Sequence, residues 1–454
     1  MFDILLIFLT IMSATIVAKL ILKKYNAIFV FLASGIIILM VASVITGTSI
    51  LGKATLGNVF LDTFGFITAT FKKNLAGVGT IIMAVTGYAA YMKHIQASTK
   101  LAYLASKPLS RIKNRYLVLS GMFLVGIALK LVITSQAGLA VLLLATVFPV
   151  LMAINISPLT AASVLCLVCL DYGPNDGSTV FMAGVLKMDV VELFLQYQIF
   201  VALSIIIVLT LLIPSYYRYM DNKDRAKGII NTSETKVLEN PNCPTFYALL
   251  PVVPLVIVFI AYFIPSIKID VITANILGIA LTFAIEFIRR HDRKAIPKDI
   301  IVILKAMGDI FVSVVSIIIA ASVFAEGIKK LGGISILANL IADMHGAVLL
   351  TIALLACITF VFAVIMGSGA APFFAFGPLT PDIASKLGVP AVALILPMEL
   401  SAALGRALSP VAGAVIAIAG CAGVETTAVV KRTAFPLLVA LVVNIVASYV
   451  FATL

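Results

Sequence analysis

Residues 171–178 read Asp171-Tyr172-Gly173-Pro174-Asn175-Asp176-Gly177-Ser178, in the middle of an otherwise apolar run from 159 to 186. Residues 404–410 read Leu404-Gly405-Arg406-Ala407-Leu408-Ser409-Pro410, inside a second such run at 391–423. Proline removes a helix donor and glycine frees the backbone, so each stretch predicts a span broken at its middle. Two longer apolar stretches, about 116–154 and 347–389, are interrupted too. Their breaks are Thr134-Ser135-Gln136-Ala137-Gly138 and Gly367-Ser368-Gly369-Ala370-Ala371-Pro372. A small-residue break halfway along such a stretch predicts a re-entrant hairpin with its tip at membrane depth. Non-helical backbone is tolerated there only where protein buries it or it lines a wet cavity.

The composition agrees with a membrane setting. Of 454 residues, 62% are apolar and 11% charged, against roughly 45–50% and about 25% in soluble domains. That excludes a disordered chain and leaves little room for a soluble enzyme. Spans are expected near 4–21, 27–48, 74–91, 159–186, 195–217, 246–264, 271–288, 307–328, 391–423 and 435–453. Segments 53–73 and 297–306 are more mixed and read as interfacial. The N-terminus lacks the basic region of a signal peptide, so the first run is expected to stay as a span. The fold class is an all-α polytopic membrane protein.

The four breaks come in pairs. Ser135 recurs as Ser368, 233 residues on; Pro149 and Pro158 recur as Pro381 and Pro390 at 232. Pro174, Gly177 and Gly184 recur as Pro410, Gly413 and Gly420 at 236. The reading is two repeats, 1–217 and 246–454, each of five spans plus one hairpin, joined by a linker at 218–245. Five is odd, so the repeats are inverted. Interrupted segments in corresponding places of two halves point to a transporter binding site. A simple pore or a membrane-embedded enzyme gives no reason for them.

The net charge of +12 arises from 32 Lys+Arg against 20 Asp+Glu. Basic residues collect in cytoplasmic loops, so no nucleic-acid partner is implied. With the N-terminus outside, cytoplasmic segments hold 20 Lys+Arg and outside segments hold 8. Both termini are therefore expected outside and the linker inside. Residues 97–113 and 329–343, before each hairpin, are read either as interface-plane helices or as ordinary loops.

An ionisable residue at membrane depth costs about 2.5–3.5 kcal/mol even on insertion scales, and so is a candidate for function. Arg406 is the sharpest case: its planar fork suits a carboxylate, or else an internal ion pair with Glu399 or Asp171. Asp171 and Asp176 flank a break, where they would take Na⁺ or a proton, or simply cap the broken helix. Asn175 and Ser178 fit either description. Thr134, Ser135, Gln136, Gly138, Gly367, Ser368, Gly369 and Ser409 offer hydroxyls, an amide and free backbone for an anion. Glu326 and Lys130 read as residues near helix ends that snorkel to the interface. Asp309 and Glu399 have no assigned place.

His94, His291 and His345 are scattered, and Cys166, Cys169, Cys243, Cys357 and Cys421 form no metal-ligand or disulfide pattern. No metal or cofactor is expected beyond Na⁺ or H⁺ as a coupling ion. The chain contains no phosphate-binding loop, so the driving gradient is external.

The chain resembles the anaerobic C4-dicarboxylate carriers of the Dcu C type, within the ion-transporter superfamily. The likeness covers nearly the whole length. It is carried by residues 87–92 (GYAAYM), 105–109 (ASKPL), 138–149 (GLAVLLLATVFP), 367–373 (GSGAAPF), 404–410 (LGRALSP) and 430–433 (VKRT). The resemblance implies a carrier of succinate, fumarate, malate or similar dianions in an inner membrane. The superfamily implies a homodimer whose protomers divide into a scaffold domain and an elevator-type transport domain holding both hairpins and both broken spans. Two departures leave substrate and coupling ion open. The family carries Pro-Thr-Ser-Gly-Asp where this chain has Pro174-Asn175-Asp176-Gly177-Ser178, and tends to carry Ser-Asn at Ala402-Ala403.

The reading is thus a secondary active carrier of small dicarboxylates. A cation/proton antiporter or an amino-acid carrier is the alternative, favoured by the extra Asp176. A membrane-embedded hydrolase would need a nucleophile–base pair, and no His lies near a hydroxyl or thiol break.

Overall fold

The computed structural model describes residues 2–23, 25–47, 49–51, 54–107, 114–226, 241–264, 268–290, 292–333, 336 and 347–452. Part of the linker, part of each connector, Lys53, His291 and His345 lie outside the described residues. Among the described residues all regular structure is helical.

The first half runs α1 (Phe2–Leu22), α2 (Ala27–Thr46), α3 (Val59–Asn74), a π-turn (Leu75–Gly79), α4 (Thr80–His94) and α5 (Ala97–Ser106). It continues through α6 (Arg115–Lys130), α7 (Gln136–Thr146), α8 (Phe148–Ala153), α9 (Pro158–Leu167), α10 (Gly177–Leu186) and α11 (Val190–Leu193). A second π-turn (Phe194–Gln198) leads into α12 (Ile199–Ala226). The second half runs α13 (Val253–Phe263), α14 (Val271–Arg289), α15 (Ile300–Ile310), a π-turn (Phe311–Val315) and α16 (Ser316–Leu331). It closes with α17 (Ala347–Met366), α18 (Ala370–Phe376), α19 (Thr380–Leu387), α20 (Val392–Ala407), α21 (Gly413–Cys421) and α22 (Thr426–Ala452).

Among the described residues, nine helices are long and apolar enough to cross a membrane. Eight coincide with expected spans, and the chain is a multi-pass membrane protein. The two other expected spans, 159–186 and 391–423, are the broken ones: α9 and α10 are separated at 168–176, and α20 and α21 at 408–412. The ninth long helix is α17, the first limb of the second hairpin. Its 20 residues, against 16 in α6, give a rise of about 30 Å, longer than a half-depth limb needs. In both hairpins the chain still turns back, since α6 packs on α7 and α17 on α18.

The stretches 53–73 and 297–306, read as interfacial, are largely helical: α3 covers 59–74 and α15 covers 300–310. α3 does not run straight into α4, because Gly77 leaves the helical region (φ −94°, ψ −108°) and kinks the chain between them. Residues 296–331 run through α15, a π-turn and α16 as one apolar stretch. These two π-turns fall at matching places, 236 residues apart, and they pack against each other. The remaining π-turn, Phe194–Gln198, has no such partner, since residues 426–452 are α-helical throughout.

Two sets of helices pack along their lengths, and α16 joins them by packing on α18 as well. In one, α2 lies along α16, and α4 lies along α14 and α15. In the other, α12 packs on α6 and α22, and α20 packs on α17 and α22. Asn444 of α22 secures the latter by donating to the Pro397 carbonyl (2.8 Å) and to Ser401 (3.0 Å). Aromatic rings tie the halves together where α10 meets α18: Phe181 lies 5.5 Å from Phe373 and 4.6 Å from Phe374.

Candidate functional site

The break between α9 and α10 begins where Val168 leaves the helical region, and Gly173 adopts φ +101°, a left-handed conformation that glycine takes without steric cost. Asp176 then starts α10 by accepting from the Ser178 amide at 2.9 Å, so it caps the half-helix as one reading of the sequence expected. Tyr172 holds the break from behind, donating to the Ile127 carbonyl at 2.8 Å.

The tip of the first hairpin docks on this break. Ser135 caps α7 through the Gly138 amide (3.1 Å), and Gln136 Nε2 donates to the Val168 carbonyl (2.7 Å). The second tip docks on the other broken span. Gly367 has φ +67°, with Val411 and Ala412 against it, and a Cβ on Gly369 would lie 2.8 Å from the Ala402 carbonyl oxygen. Ser409 is buried and accepts from the Val411 amide (3.3 Å).

Arg406 joins the two assemblies. Its Nη2 donates to Asp171 Oδ1 (2.9 Å) and to the Cys169 carbonyl (3.2 Å). Of the two internal partners the sequence offered, Asp171 is the one it meets. Lys130, at the end of α6, completes the cluster: its Nζ lies 3.0 Å from Asp171 Oδ1 and 3.1 Å from Asp176 Oδ2, and donates to the Thr134 carbonyl at 2.6 Å. The snorkelling expectation for Lys130 is therefore corrected. Its side chain is 0% exposed, and two carboxylates and a carbonyl hold it in the interior.

Two cations thus face two carboxylates, and the cluster carries no net charge. Around it stand buried polar atoms without a partner among the described residues: Arg406 Nε, Asn175 Oδ1 and Gln136 Oε1. An uncompensated buried donor or acceptor is costly, so each of these atoms calls for a polar partner, a water or a ligand. Thr134 and Ser368 are half-buried at the tips, and Ser135 is exposed.

A third carboxylate escaped assignment in the sequence. Glu399 of α20 is 1% exposed, accepting from Thr179 Oγ1 (3.0 Å) and Gln198 Nε2 (2.7 Å). Nothing in the sequence placed it, because its partners lie 220 and 201 residues away. A cavity of about 610 Å³ lies elsewhere, between α10 and the group of α4, α13 and α14. Val78, Ala183, Gly184, Val258 and Val271 line it, with Asp189, Lys268 and Asp270 as polar members.

A family profile described as the C4-dicarboxylate anaerobic carriers matches residues 4–452. The chain is 32% identical over 438 residues to the anaerobic C4-dicarboxylate transporter DcuC of Escherichia coli K12, covering 95% of this chain and 94% of that protein. It is 33% identical over the same length to the probable DcuC transporter of Vibrio cholerae. Among solved structures, the Alcanivorax borkumensis YdaH transporter superposes with a TM-score of 0.64 at 13% identity, covering 93% of this chain and 97% of that one. Neisseria gonorrhoeae MtrF superposes with a TM-score of 0.66 at 12% identity, covering 94% and 96%. These two speak to the fold alone.

Proposed function

This chain belongs to the C4-dicarboxylate anaerobic carrier family, a family of transporters and not of enzymes, and we propose that it moves succinate, fumarate, malate or a similar dianion across an inner membrane by alternating access. The observation that carries this reading is the meeting of both broken spans and the first hairpin tip at Arg406, Asp171, Lys130 and Asp176.

Arg406 would hold one substrate carboxylate, with its unpartnered Nε as the available donor. Thr134, Ser135, Gln136, Gly138, Asn175, Gly367, Ser368, Gly369 and Ser409 would hold the other end through hydroxyls, amides and close backbone approach. Charge balance gives Asp171 and Asp176 their role. Because the cluster is neutral before substrate enters, a dianion leaves two negative charges uncompensated in a site where such charge is costly. Protons or Na⁺ taken up at the two aspartates would offset them, which couples transport to an ion gradient.

In this reading the halves stand inverted, with both termini outside, and the protein is a homodimer in lipid. The helices around α2, α4, α14 and α16 form the scaffold. The hairpins and broken spans move against it as an elevator. The cavity between α10 and the scaffold helices supports such sliding, since an incompletely packed boundary loses fewer contacts when it shifts.

Uptake of radiolabelled succinate into proteoliposomes, with and without Na⁺ and pH gradients, tests the proposal. Saturable uptake with counterflow is the expected result. Uptake that never saturates, or preference for an amino acid over every C4-dicarboxylate, overturns it.

A further inference from the structure

The ion cluster satisfies Asp171 and Asp176 with cations and leaves Glu399 without one. Among the described residues no lysine, arginine or histidine lies within ion-pair distance of Glu399, and Asp176 begins the half-helix that carries its partner Thr179. The elements packed against α20 do not change this. α9, α10, α17 and α18 carry no charged residue. On α19, Asp382 pairs with Lys329 (3.0 Å) and Lys386 is exposed. On α22, Lys431 is exposed and Arg432 is bound to Asp221 and Asp224. On α20 itself, Arg406 is engaged with Asp171.

The hydrogen bonds around Glu399 admit a neutral carboxyl as well as an ionised one. Gln198 Oε1 accepts from the Gly173 amide (3.0 Å), which orients its Nε2 to donate to Glu399 Oε2 (2.7 Å) and Thr179 Oγ1 (2.8 Å). That orientation is fixed, since an amide cannot swap its ends without losing the Gly173 bond. Thr179 is a hydroxyl, able to give or to receive, so its 3.0 Å bond with Glu399 Oε1 runs in either direction. A proton on Oε1 would be donated to Thr179, whose own hydroxyl hydrogen then turns away from Glu399, with no rearrangement of heavy atoms.

We propose that Glu399 is the proton-binding residue of this carrier, taking a proton from water on one side and returning it on the other in each transport cycle. This deepens the carrier reading and rests on it: it names the proton as a coupling ion and gives it, beside the two aspartates, a third carboxylate outside the ion cluster. Gln198 communicates its state to the binding site, because the same side chain holds the Gly173 amide in the α9–α10 break. Thr179, in the first turn of α10, lies three residues beyond Asp176. Protonation removes a charge that repels both the aspartates and an incoming dianion, so proton and substrate bind together.

The test uses purified full-length carrier in proteoliposomes, with Glu399→Gln as an uncharged isostere and Glu399→Asp as a titratable one. Wild-type protein is expected to exchange internal for external succinate and to accumulate it when the outside is made acidic. A gradient of one pH unit sustains up to about tenfold accumulation for each coupled proton. Glu399→Gln should keep the exchange, which shows that it is folded and binds substrate, and lose the accumulation. Glu399→Asp should recover part of it. Infrared spectra of the substrate-free protein should show a protonated-carboxyl band that Glu399→Gln lacks. Accumulation by Glu399→Gln equal to wild type, or an unchanged carboxyl band, overturns the assignment. Absence of any C4-dicarboxylate exchange by wild type overturns the carrier reading instead, and the infrared band then still decides the protonation of Glu399.

Discussion

Arg406 and Asp171 stand 235 residues apart in the chain and 2.9 Å apart in space, with Arg406 Nη2 donating to Asp171 Oδ1. One comes from the helix before the second break and the other from inside the first, so this pair joins the two halves of the chain at their irregular segments. Replacing Arg406 with alanine should abolish succinate uptake while the protein still reaches the membrane. Arg406→Lys keeps a charge but loses the planar fork; losing one charge-assisted hydrogen bond, about 1.5–3 kcal/mol, should raise KM roughly 10- to 150-fold. Normal transport by Arg406→Ala removes the assigned role.

Lys130 serves two carboxylates, so its loss should be felt first as instability. Lys130→Met leaves Asp171 and Asp176 buried with only Arg406 as counter-charge, and removing one partner of a buried pair costs about 3–5 kcal/mol. The expected result is a lower melting temperature in detergent, partly restored by adding Asp176→Asn. An unchanged melting temperature for the single variant would mean that the cluster is more hydrated than its burial implies.

Two glycines provide a matched comparison. A Cβ at Gly369 meets the Ala402 carbonyl at 2.8 Å, whereas nothing lies within 4 Å of one at Gly413. Gly369→Ala must push the second hairpin tip off α20, at a cost of about 1–3 kcal/mol for overpacking, and should reduce uptake. Gly413→Ala should transport like wild type. Equal behaviour of the two variants would show that the tip does not need its close seat.

The sequence made the four breaks legible because glycine, proline and serine in mid-bilayer have few other uses, and their pairing gave the repeat. The structure joins residues 134–138 to 168–176 and 367–369 to 402–412 through the contacts of Gln136, Gly367 and Gly369. The π-turns were not legible, since one extra residue in an apolar helix changes no composition. Lys130 and Glu399 were misread or left unplaced for another reason. Periodicity says how far along a helix a residue lies, but not which distant helix faces it, and Gln198 and Thr179 announce no partnership by spacing.

Orientation has its own test. Lys187→Cys should react with an impermeant maleimide added outside, and Lys223→Cys only after permeabilisation, in a background with Cys243, Cys357 and Cys421 replaced. The reverse pattern would invert the assigned topology.

The wide turns at Leu75–Gly79 and Phe311–Val315 sit 236 residues apart and against each other. At the first, Gly77 leaves the helical region, so α3 and α4 are two helices met at a kink. Such a joint frees the mixed stretch 59–74 from the direction of α4: one limb is able to follow the lipid headgroups while the other crosses the bilayer.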